Sequence, residues 1–144
     1  MSTVNVRYIV NDVEAAVAFY TKHFGFRVLT STLPAFADVV RDDLRLLLSG
    51  PTSSAGRPMP DGRRPEAGGW NRIHFVVADL AAEVERLRAA GVKFRSDIVT
   101  GPGGSQILVD DPSGNPIELF QPARRGGDAH IKQTGLFGGV EAGR

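Results

Sequence analysis

The feature that most constrains this chain is that its order of elements occurs twice. Residues 4–10 alternate as a strand does, with Val4, Val6, Tyr8 and Val10 on one side and Asn5, Arg7 and Ile9 on the other. Asp12 suits a helix N-cap, because its carboxylate can accept from the orphan amides of a first turn. Val13, Ala16, Val17, Tyr20 and Phe24 then recur at helical spacing, and Gly25 is placed to end the helix with a positive φ. Three β-rich stretches follow at 26–32, 36–40 and 44–48, with Asp42-Asp43 as a turn. The second half runs through the same order. It has a strand at 71–77, an N-cap at Asp79, a stripe of Leu80, Val84, Leu87 and Ala90, a stop at Gly91, and strands at 92–98, 106–109 and 116–121.

The two halves can be put in register. Asp79 stands 67 positions after Asp12, and Gly91 stands 66 after Gly25. Ile117-Glu118-Leu119 stands 71 after Leu46-Leu47-Leu48, the excess falling in the longer turn Asp111-Pro112-Ser113-Gly114-Asn115. Pro fixes φ in such a turn and Gly permits a positive one. Repeated order with length changes confined to turns is what an internal duplication produces. The domain reading is therefore a first unit at 1–49, a linker at 50–69, a second unit at 70–122 and a Gly-rich tail at 123–144. The linker, GPTSSAGRPMPDGRRPEAGG, has no periodicity and reads as mobile. The tail is mobile, or packs on the domain or a partner chain through Ile131, Leu136 and Phe137.

Composition narrows the class. Across 144 residues, 42% hydrophobic and 23% charged side chains match a soluble globular protein with a real core. Seventeen Lys and Arg against 16 Asp and Glu leave a net charge of +1, which gives no reason to expect nucleic acid or an anionic membrane as partner. No cysteine is present, so disulfides, thiol nucleophiles and thiolate metal sites are excluded. No apolar run approaches the roughly 18 residues of a membrane helix, and MSTVNVRYIV lacks a basic stretch followed by a long apolar segment, so no signal peptide is evident and a cytoplasmic location is expected. There is no GxSxG, P-loop or dinucleotide fingerprint, and Gly103-Gly104 is too short a motif for phosphate. No cofactor is expected.

Two segments carry a resemblance. NDVEAAVAFYTKHFGFRV resembles the opening strand-helix signature of the vicinal oxygen chelate superfamily, the glyoxalase, bleomycin-resistance and extradiol-dioxygenase group. DDPSGNPIELFQP resembles its closing signature, a DPxGN turn before a strand carrying Glu. The resemblance covers roughly residues 4–122. It implies an α+β fold of tandem βαβββ units forming a cupped mixed sheet around a cleft. It also implies, in metal-dependent members, a divalent ion held by the first and last strands of each unit. In this chain those four positions read Asn5, Leu47, Arg72 and Glu118. Glu118 alone is an ordinary ligand; leucine cannot coordinate, and a guanidinium stays cationic and repels a metal. No metal is therefore expected.

By the same register and the two-residue strand period, the cleft-facing set is Asn5, Arg7, Leu47, Arg72, His74, Glu118 and Phe120. Two readings of its charges stay open. Arg72 and Glu118 can form a structural ion pair, or Arg7 or Arg72 can hold a ligand carboxylate or phosphate in its planar fork. His74 can be a general base or a hydrogen-bonded structural histidine. His23, near the end of the first helix, suits the helix dipole. Trp70 and Phe36 are candidate stacking platforms, Trp70 alternatively anchoring the linker. The expectation is a metal-free, homodimeric binder of a small organic ligand, resembling the bleomycin-resistance type. The alternative is an enzyme, either a lyase, isomerase or dioxygenase with displaced metal ligands, or a metal-free catalyst in which His74 and Glu118 are catalytic.

Overall fold

A computed structural model describes residues 4–123. The tail from 124 onward, with His130 and the candidate packing residues Ile131, Leu136 and Phe137, lies outside the described residues. The chain forms two compact units. Among the described residues, one contains 4–72 together with 110–116; the other contains 73–109 together with 117–123.

In the first unit, β1 (Asn5–Ile9) leads into α1 (Val13–Phe24), then β2 (Arg27–Thr32), β3 (Phe36–Arg41) and β4 (Leu44–Ser49). The strands form one mixed sheet in the order β1-β4-β3-β2, with β1 and β4 parallel and the other pairings antiparallel. α1 begins as the sequence predicts: the Asp12 carboxylate accepts from the Ala15 amide at 3.1 Å. It ends at Gly25, whose φ of 71° is left-handed and whose amide donates to the Tyr20 carbonyl. Val13, Ala16, Phe19, Tyr20 and Phe24 are its buried residues. α1 contacts β2, β3 and β4, and the sheet supplies Tyr8, Ala37, Val39, Leu46 and Leu48 to this core. Phe19 is buried beside Tyr20 on the second turn, while Val17 is only half-buried. It stacks edge-on with Tyr20 at 5.1 Å between ring centres.

The stretch expected as a linker is partly folded into this first unit. Ser53–Gly56 makes a single 3-10 turn, Ser54–Gly56, in which the Ser53 hydroxyl donates to the Gly50 carbonyl at 2.7 Å and accepts from the Gly56 amide. Ser53 and Gly56 are buried. A serine hydroxyl that satisfies backbone groups locally supplies order that hydrophobic periodicity does not register.

In the second unit the order is β5 (Ile73–Val76), α2 (Leu80–Ala89), β6 (Lys93–Phe94), β7 (Val99–Gly101), β8 (Gly104–Asp110) and β9 (Pro116–Pro122). The sheet runs β5-β9-β8-β6, with β7 also paired to β8. β5 and β9 are parallel, as β1 and β4 are. Asp79 caps α2 by accepting from Ala82 at 3.1 Å, and the Gln121 amide oxygen accepts from the Leu80 amide at 2.7 Å. Leu80, Val84 and Leu87 are the buried stripe, and Gly91 has a φ of 81° just past the helix end. Of the strand expected at 92–98 only Lys93–Phe94 forms, and β7 follows the expected stretch at Val99–Gly101. Between them the Ser96 hydroxyl takes the place of a ladder acceptor for the Leu108 amide at 3.1 Å. No helix among the described residues is long and apolar enough to cross a membrane.

Candidate functional site

The first unit presents its candidate residues on the sheet face opposite α1. Pairing fixes three neighbouring rows on that face. Ile9, Ser49 and Phe36 form one row; Arg7, Leu47 and Asp38 the next; Asn5, Arg45 and Val40 the third. Leu47 is thus the centre of the patch. Two polar pairs run diagonally past it. Arg7 Nη1 donates to the Ser49 hydroxyl at 2.8 Å. Arg45 Nε donates to Asp38 Oδ2 at 2.6 Å, and Arg45 Nη2 lies 2.5 Å from the same oxygen. Asp38 is fully buried, and its other oxygen, Oδ1, has no hydrogen-bond partner. Asn5 and Arg7 are exposed. Arg72 follows the 50–69 stretch, is exposed, and donates from Nη1 to the Trp70 carbonyl at 3.2 Å.

The second unit brings three predicted residues together. His74 on β5 pairs in register with Glu118 on β9, and Val76 pairs with Phe120. His74 Nε2 lies 3.5 Å from Glu118 Oε2, with the histidine side chain 46% exposed and the glutamate 9%. The rings of His74 and Phe120 lie 5.0 Å apart at a tilt of 35°. Ile73, Ile117 and Leu119 turn to the other side and are buried, so the strand period holds. Glu118 makes an ion-pair contact with His74, on the adjacent strand.

These registers give the repeat a structural form. Arg7 pairs with Leu47 as His74 pairs with Glu118. His74 stands 67 positions after Arg7, and Glu118 stands 71 after Leu47, the offsets found from the caps and the last strands. A leucine therefore occupies the place in unit one that a carboxylate occupies in unit two. Among the described residues, no three His, Asp or Glu side chains are grouped as a metal site requires. A lone His74–Glu118 pair falls short of the three or four ligands a divalent transition metal takes, so the donor set does not fit the ion that the resemblance implies.

Three residues of the unit-one patch were not singled out from the sequence: Asp38, Arg45 and Ser49. The signal was available. Arg45 and Ser49 lie two residues either side of Leu47, so the two-residue period alone puts them on its face; Asp38 shares a face with Phe36 and Val40 by the same period, and the β3–β4 register makes that face Leu47's.

The DPSGN turn has a structural role. Tyr20 donates to Asp111 Oδ2 at 2.8 Å, and Asp111 Oδ1 accepts from the amides of Ser113 and Asn115. Asn115 Nδ2 donates to the Ile9 carbonyl at 2.8 Å, and its Oδ1 accepts from the Gly68 amide at 2.7 Å. The Tyr8 hydroxyl donates to the Pro116 carbonyl at 2.8 Å, and the Asn11 amide to the Ser113 hydroxyl. Burial raises the pKa of the Tyr20 hydroxyl far above the ordinary phenol value, and the Asp111 charge adds to it, so Tyr20 is a permanent donor.

Sequence and structure comparisons agree with this architecture. YaeR of Escherichia coli strain K12 is 28% identical over 120 residues, which is 81% of this chain and 93% of that protein. CFP32 of Mycobacterium bovis is 29% identical over 129 residues; they make up 88% of this chain and 48% of CFP32, so this chain spans about half of that relative. Among solved structures, a member of the glyoxalase/bleomycin resistance protein/dioxygenase superfamily from Sphaerobacter thermophilus is 25% identical with a TM-score of 0.67, covering 84% of this chain and 97% of its own. TnmS3, an antibiotic-binding protein from Streptomyces sp. CB03234, is 26% identical with a TM-score of 0.65, covering 85% and 97%. The model of one family matches residues 3–119, and the chain belongs to that family, the Glyoxalase/Bleomycin resistance protein/Dioxygenase superfamily.

Proposed function

We propose that this protein is a metal-free binder of a small organic ligand, holding it with Asn5, Arg7, Leu47, Arg72, His74, Glu118 and Phe120. The observation that carries the reading is the register pair. Leu47 stands beside Arg7 where Glu118 stands beside His74, so one of the two carboxylate positions is apolar. An apolar residue there removes a ligand for a metal and adds surface for an organic molecule. The tilted His74–Phe120 ring pair supplies a platform for a planar group, and stacking of that kind is worth about 0.5–1.5 kcal/mol. The likeness to an antibiotic-binding protein supports the same reading. We also propose a homodimer, since Val28 and Leu29 on the sheet-edge strand β2, and Leu33 just after it, leave apolar side chains in solvent. Elemental analysis and mass spectrometry of protein purified from its native host without chelator test the function. The expected result is an organic molecule and no stoichiometric transition metal; one metal per chain would overturn it.

One observation favours a second reading. His74 and Glu118 are 3.5 Å apart, with the glutamate buried, an arrangement in which a carboxylate orients an imidazole for proton transfer. On this reading the protein is an enzyme, and His74→Ala and Glu118→Gln each abolish turnover of the extracted ligand while leaving the fold intact. Activity persisting in both variants would remove the enzyme reading.

A further inference from the structure

Of the two polar pairs that flank Leu47, Arg7–Ser49 and Arg45–Asp38, only Arg7 belongs to the proposed ligand-holding set, and the charges of the pairs do not cancel. Arg7 and Arg45 bring two positive charges to the patch and Asp38 one negative, and Arg27, which pairs with Val40 at the β2 end of the third row, adds a further positive charge. The Arg7 guanidinium has five N–H donors and uses one, on an uncharged serine hydroxyl. Arg45 spends Nε and Nη2 on a single oxygen of Asp38, which leaves its Nη1 donors unused. Its side chain is 39% exposed, while Asp38 beneath it is fully buried. A buried carboxylate with one oxygen otherwise unpartnered holds its arginine firmly, because releasing it leaves an uncompensated charge. Both guanidinium groups are thus tethered from below and keep donors for solvent.

The spacing suits one acceptor. Arg45 pairs with Asn5, two residues before Arg7 on the neighbouring parallel strand. Two residues of strand and one interstrand step put the two Cα atoms roughly 8 Å apart. Two arginine side chains on one face span that distance easily around a single oxyanion, and planar forks match carboxylate and phosphate oxygens. Leu47 lies between them as an apolar floor.

We infer that Arg7 and Arg45 together bind an oxyanion, carboxylate or phosphate, carried on an apolar ligand that covers Leu47, with Asp38 as the positioning residue for Arg45. The inference rests on the small-molecule-binding reading and gives that ligand its chemical class, an amphipathic anion. It makes Arg45 a binding residue, and it gives a buried acid in the middle of a sheet a reason to be there.

Titration of the full chain with benzoate, phenyl phosphate and the neutral isostere benzamide tests it, followed through the arginine Nε–H resonances. Benzoate or phenyl phosphate should bind in the millimolar range, shift the Nε–H signals of both Arg7 and Arg45, and exceed benzamide by about tenfold or more, since hydrogen bonds to charged groups are worth about 1.5–3 kcal/mol. The tighter of the two anions identifies carboxylate or phosphate. Arg7→Gln and Arg45→Lys should each lose about tenfold in anion affinity; the lysine variant keeps a cation on Asp38 and so keeps the fold. Asp38→Asn should abolish the Arg45 shift and leave the Arg7 shift, which a purely structural Asp38 would not do. If benzamide binds as well as benzoate and neither arginine variant changes it, the anion inference fails while small-molecule binding stands. If none of the three probes binds, the inference fails, and the metal and ligand analysis decides the parent reading separately.

Discussion

The Tyr20 hydroxyl donates a 2.8 Å hydrogen bond to Asp111 Oδ2, and both side chains are buried. The two residues are 91 positions apart and come from the two segments that carry the family resemblance. Joined this way, the segments act as scaffold. Tyr20 serves α1 and its core, and Asp111 organises the turn that lies against β1 and α1 in the first unit.

Replacing Tyr20 with Phe keeps the ring and removes the hydroxyl. Asp111 Oδ2 then retains only the Asn115 amide at 3.1 Å. The expected cost is about 1.5–3 kcal/mol, the range for a hydrogen bond to a charged group, read from urea unfolding. The same pair sets an alkaline limit. Because the Tyr20 pKa is raised in the folded state, its contribution is intact below the ordinary phenol value of 10.0 and is lost as pH rises above it. Stability should fall by about 1.4 kcal/mol per pH unit from this group, and Tyr20→Phe should remove that part of the slope.

Asn115 should be the most sensitive residue of the turn. It is 4% exposed and holds the Ile9 carbonyl, the Gly68 amide and Asp111 with one side chain. Asn115→Ala strands a donor and an acceptor of the backbone at once. A loss of about 2–4 kcal/mol is expected, with the melting temperature falling to match. Ser113→Ala, at a half-buried position with one hydroxyl contact to the Asn11 amide, should cost less than about 1 kcal/mol.

Gly104 should tolerate no side chain. Its φ is +147°, and a Cβ there would collide with the Gln121 carbonyl and lie 2.9 Å from the Phe120 ring. Gly104→Ala must push β9 away or distort the start of β8, at an expected cost of about 2 kcal/mol or more. Because Phe120 lies in the candidate site, thermal unfolding and ligand affinity should fall together.

The Asp38–Arg45 pair predicts an asymmetry. Arg45→Ala leaves a fully buried carboxylate without its cation, and about 2–3 kcal/mol should be lost, less than for a wholly buried pair because Arg45 is partly exposed. Replacing both residues, as Asp38→Leu with Arg45→Met, should recover most of that loss, since an apolar pair has no charge to desolvate. Denaturation midpoints of the two variants decide it.

The sequence by itself determined the elements and their duplication. Asp12 and Asp79 cap the helices, Gly25 and Gly91 end them, and the offsets of 67 and 71 recur as the pairings that set His74 on Glu118 and Arg7 on Leu47. These are local signals: caps, turn residues and strand alternation act within a few residues and leave a readable trace. Only the tertiary structure decided which side chains are buried together across long separations. Nothing near Tyr20 announces Asp111, and nothing near Ser53 shows that the expected linker would fold back on Gly50. Asp38 could be grouped with Phe36 and Val40 by period, but its place beside Leu47 and its full burial under Arg45 depend on a neighbouring strand and its register. The energy of a charge depends on what surrounds it in space, and a one-dimensional pattern does not contain that distance.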